Sequence, residues 1–128
     1  NFLYLRGFEH RPAELSELLA GHAVNPMKQA ALSRLPLATL PLSYQLGPNY
    51  RADQAWQQVT RAQLGNELTS MLAQDLSLLT EVGLEQLSSR QKSELTKRYS
   101  PFTRHEEINE LLRWLAGEYI FDPACLTD

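Results

Sequence analysis

Three histidines, His10, His22 and His105, and one cysteine, Cys125, are the side chains best suited to metal binding or nucleophilic catalysis. No two of the histidines stand three or four residues apart, the spacing that would set both on one helix face as ligands. His105-Glu106-Glu107 shares the opening of a zinc-protease helix motif, but Asn109 stands where the second histidine is needed. Cys125 has no histidine near it in sequence to act as a base, so it reads as a small buried or incidental thiol. The acids Glu14 and Glu17, and Glu106 and Glu107, fall at polar helix positions, where solvation and the helix dipole account for them. Six scattered glycines compose neither a dinucleotide fingerprint nor a phosphate-binding loop. The expectation is a chain that is not an enzyme and carries no metal and no cofactor.

Charge is the next kind of chemistry. Residues 88–105 hold Arg90, Lys92, Lys97, Arg98 and Arg104 against Glu94 alone, and residues 106–128 hold Arg113 against six acids. On a helix, Arg90, Lys97 and Arg98 lie near one another, with Arg104 after the next turn and Tyr99 and Phe102 alongside. Such a cluster steers acidic partners, and its aromatics could stack on bases. The plainer reading is a solubilising face partly neutralised by the acidic helix that follows. A net charge of −3 agrees with it, so nucleic-acid binding stands as the first alternative function, with a small enzyme whose site is assembled from distant polar residues as the second.

These side chains need a scaffold, and the composition specifies which kind. Leucine occurs 24 times, against two isoleucines and three valines. Leucine and alanine lose little in a helix, and the β-branched residues favoured in sheets are nearly missing. The expected fold is all-α: a compact bundle of five or six helices in a single domain, 1–128, perhaps cut from a longer chain. At this length the core needs no disulfide or metal. The lone cysteine makes no internal disulfide, no apolar run nears the ~20 residues of a membrane span, and the first residues lack a secretory signal. A cytoplasmic location is expected.

Element by element, Pro12 starts a first helix carrying Leu15, Leu18 and Leu19, with Gly21 as its stop. Asn25-Pro26 starts a second, running through Met27, Ala30, Ala31 and Leu35 and ending before Pro36. Residues 36–50 are expected to be a Pro-rich connection, since Pro36, Pro41 and Pro48 interrupt any long helix and Leu40, Leu42, Tyr44 and Leu46 alternate like a strand. Its leucines either seal one end of the core, which is the preferred reading, or form an exposed edge for a partner. From Ala52 the helical period is plain, first through Ala55, Trp56, Val59 and Ala62, then through Leu68, Met71, Leu72, Leu76, Leu79 and Val82. One straight helix over these residues would measure about 46 Å, against a domain diameter of roughly 36 Å. A break is therefore expected at Gly65, where the apolar phase also shifts. Leu84, Leu87, Leu95 and Tyr99 mark a thinner stripe ended by Pro101. Thr103 and Glu106 have capping-box spacing ahead of Ile108, Leu111, Leu112, Leu115 and Tyr119, the best amphipathic helix, which Asp122-Pro123 closes.

More apolar helix surface is present than one small bundle obviously needs. The expected function is a protein–protein interaction module, in the manner of an adaptor, assembly subunit or chaperone-like domain, docking another protein or a second copy. Leu40, Leu42, Tyr44, Trp114, Tyr119 and Phe121 are the candidate contacts. Trp56 belongs to the core stripe, while Trp114 stands part of a turn off its own stripe and could be either core or anchor.

Overall fold

Leucine and alanine at helical spacing form helices here, and no strand occurs among the described residues. The structure, a computed structural model, describes residues 1–120. The elements are α1 (Leu15–Leu18), α2 (Ala30–Leu37), α3 (Thr39–Leu46), α4 (Ala52–Ser77), α5 (Ser89–Tyr99) and α6 (Glu106–Leu115), with short tight turns between several of them. α2 packs against α3, α4 and α6, α3 against α4, and α5 against α6.

The middle of the chain keeps its expected form. Gly65 adopts φ 83° and ψ 173°, a conformation open essentially to glycine alone, and breaks α4 there. On either side the buried residues are Ala55, Trp56, Thr60 and Leu64, then Leu68, Thr69, Leu72 and Asp75. Thr60 and Leu64, rather than Ala62, continue the first stripe. Leu95 and Tyr99 are buried on α5, but Leu84 and Leu87, expected on the same helix, are buried in the turn that precedes it; Ile108, Leu111 and Leu115 join all four in one core cluster.

Four further expectations fail, the second and third because a tertiary partner outweighs a local signal. α1 is a single turn with no buried residue, leaving Leu18 80% and Leu19 47% exposed. One turn has met the nucleation cost and gains no packing in return. No helix starts at Asn25-Pro26; α2 begins at Ala30, where the Leu32 N–H donates to the Glu110 carboxylate at 2.8 Å. A carboxylate from α6 thus takes the place of a local N-cap side chain. Glu110→Ala should cost about 1–2 kcal/mol, as loss of a cap does, and should speed amide exchange at Leu32; an unchanged exchange rate there would remove the cap.

Third, residues 36–50 are helical. Pro36 lies inside α2 one residue from its end, and Pro41 lies in the first turn of α3, where an N–H has no intrahelical acceptor anyway. Pro48 opens a tight turn over Gly47–Asn49. The corner between α2 and α3 is held by Thr39, fully buried, whose hydroxyl donates to the Pro36 carbonyl at 2.7 Å and accepts from the Phe8 N–H at 3.0 Å. Fourth, the capping box belongs to α5: Ser88 accepts from the Gln91 N–H while the Gln91 side chain accepts from the Ser88 N–H. Thr103 sits in αR geometry and cannot cap, so α6 starts only at Glu106. α6 ends at Gly117, φ 84°, where Glu118 N–H donates to Arg113 and Gly117 N–H to Trp114 in a Schellman motif. Asp122-Pro123 lies outside the described residues.

The first eight residues run extended across the bundle. Leu3 and Leu5 are fully buried, while Phe2 and Tyr4 point outward, 42% and 70% exposed. Backbone bonds tie the segment down, from Leu3 N–H to the Leu79 carbonyl at 3.1 Å and from Leu84 N–H to the Asn1 carbonyl at 2.9 Å. Gly7 lets it cross α4 closely, since a Cβ there would fall 2.5 Å from the Ala52 carbonyl oxygen.

Candidate functional site

A cleft of about 1110 Å³ opens beside this extended segment. One wall is residues 1–8, the other is residues 24–29, and Pro36 and Leu37 of α2, Thr80, Glu81, Glu85, Tyr119 and Ile120 complete the lining. The walls arise from the local sequence on each side. Alternation in Phe2-Leu3-Tyr4-Leu5 buries the two leucines and turns the two aromatic rings outward. Pro26 stands in the non-helical stretch before α2, and Met27 from that stretch places its sulfur 2.9 Å from the Tyr4 nitrogen. Arg6 pairs with Glu81 and its guanidinium also reaches the Ser77 hydroxyl at 3.5 Å, which fixes one rim. The lining holds Arg6, Lys28 and the Asn1 ammonium against Glu81 and Glu85, and the ammonium pairs with Glu85 at 3.1 Å. Phe2, Tyr4 and Ile120, the last 59% exposed, are large apolar side chains in contact with water around this cleft.

Among the described residues expected to bind a partner, only Tyr119 lines the cleft. It lies beneath Arg113, whose guanidinium carbon is 5.1 Å from the ring centre and whose Nε bonds Glu118 at 2.6 Å. Leu40, Leu42 and Tyr44 are half-buried on α3, away from the cleft lining. The Tyr44 hydroxyl lies 2.7 Å from His22 Nδ1. Trp114 is a correction: it is fully buried and its indole N–H donates to the Asn1 side chain at 3.1 Å, so it is core and not an external anchor. Phe121 and Cys125 lie outside the described residues. Phe2, Tyr4 and Ile120 were missed, although the alternation of residues 2–5 was a readable signal.

Arg90, Lys97, Arg98 and Arg104 of the basic block are all exposed, and two of them carry acidic partners. Arg98 grips Asp75 through one guanidinium nitrogen at 2.6 and 2.7 Å from the two carboxylate oxygens, and Tyr99 donates to the same carboxylate at 2.9 Å. Asp75 is 5% exposed, so this cluster clamps α5 to α4. Arg90 is taken by Glu94 at 2.8 Å, and Arg104 contacts His105 Nε2 at 3.2 Å. Lys97 is exposed. Among the described residues, no three His, Cys, Asp or Glu side chains gather where they could hold a metal ion, and no helix is long and apolar enough to cross a membrane.

Burial, followed by the charge of Asp75, pushes the Tyr99 hydroxyl well above the ordinary tyrosine value. A folded-state pKa above the unfolded one stabilises the fold below the unfolded value, near 10, and that stabilisation is lost as pH rises past it. In an alkaline titration followed by tyrosinate absorbance, Tyr99 should therefore ionise last of the five tyrosines, together with loss of helical signal. Tyr99→Phe should delete that late step. A step that remains in the variant would reassign it.

Comparison with protein-family models, with curated proteins and with solved structures gave no match. The functional reading rests on the cleft.

Proposed function

We propose that this protein is an interaction module whose cleft seats an apolar segment of another protein or of a second copy. The observation that supports this reading is the ring of water-exposed Phe2, Tyr4 and Ile120 around a cleft with apolar walls. Clustered exposed apolar side chains at a concave surface are a common mark of a binding surface. The volume, about 1110 Å³, exceeds the roughly 300–1,000 Å³ of most small-molecule sites, and it better suits several side chains of a chain segment. Lining charges pair with one another, Arg6 with Glu81 and the Asn1 ammonium with Glu85, which leaves apolar burial as the source of affinity. The nucleic-acid alternative keeps the exposed Arg90, Lys97, Arg98 and Arg104, although Arg90 and Arg98 each already carry an acidic partner.

The test is site-specific crosslinking in the cells that make the protein, with a photoreactive residue at position 4 and a control at Gln57 on the exposed face of α4. A discrete adduct at position 4 is expected that survives high salt and disappears in an Ile120→Glu background. Its mass separates a second copy from a different protein. Labelling at position 4 no stronger or more discrete than at position 57 would overturn the proposal.

A further inference from the structure

We draw no further inference here: the strongest candidate, the apolar cleft between the extended amino-terminal segment and residues 24–29, belongs to the site already described, and nothing in the structure shows what covers it.

Discussion

Replacing Leu3 and Leu5 together by alanine should leave the protein largely unfolded at room temperature. Both side chains are fully buried in the core cluster. A buried Leu→Ala change typically costs about 2–5 kcal/mol, from lost transfer energy plus the cavity left behind. Two such changes two residues apart couple, so their sum is approximate, but about 4–10 kcal/mol is comparable with the roughly 5–15 kcal/mol that holds a domain together. Chemical denaturation with each single variant gives the graded series, and the double variant should show little or no folded baseline. Phe2→Ala and Tyr4→Ala, on the outward side of the same segment, should each cost less than either leucine. If the double variant melts within about 1 kcal/mol of the parent, the segment is an appendage rather than part of the core. The cleft would then lose a wall. Stability and the proposed binding site thus depend on the same eight residues, which is why the crosslinking test is made at Tyr4, an outward position, and not at a leucine.

The second large effect is expected at the α4–α5 clamp. Arg98→Met strips the guanidinium from Asp75 and leaves a 5%-exposed carboxylate with Tyr99 as its remaining side-chain donor. Removing one partner of a buried pair costs about 3–5 kcal/mol. The Arg98 side chain is 43% exposed, so water takes over some of its role and about 2–3 kcal/mol is the better expectation. Arg90→Met provides the contrast, since that side chain and Glu94 are both solvated and such i, i+4 pairs are worth about 0.3–0.5 kcal/mol. Adding Asp75→Leu to Arg98→Met should recover part of the loss, because the uncompensated charge is then gone. Equal melting temperatures for Arg98→Met and Arg90→Met would show that the pair at Asp75 is no stronger than a surface one.

Much of the helical frame was legible before any coordinates. The stripe from Ile108 to Leu115, the core positions of Leu95 and Tyr99, and the break at Gly65 all follow from periodicity, propensity and the reach of a helix against the width of a domain. Those arguments use residues close together along the chain, where 3.6-residue geometry fixes which side chains share a face. The site was far less legible. Trp114 looked available because it stands off its stripe, yet burial depends on what faces a helix, and here Asn1 supplies the indole's partner from the far end of the chain. Arg98 looked like surface charge because its partner Asp75 is 23 residues earlier on another helix.

The division has one physical cause. Sequence alone determined the all-α class, the helical stripes and the kink at Gly65, since each is set by the backbone's own period and by glycine's freedom. Tertiary structure decided where α2 starts, through Glu110; whether the prolines break or begin helices, through Thr39 and first-turn placement; and which apolar residues stay wet, through the path of the first eight residues. Those outcomes turn on pairings between residues far apart in the chain, whose energies of a few kcal/mol exceed the few tenths carried by a local preference.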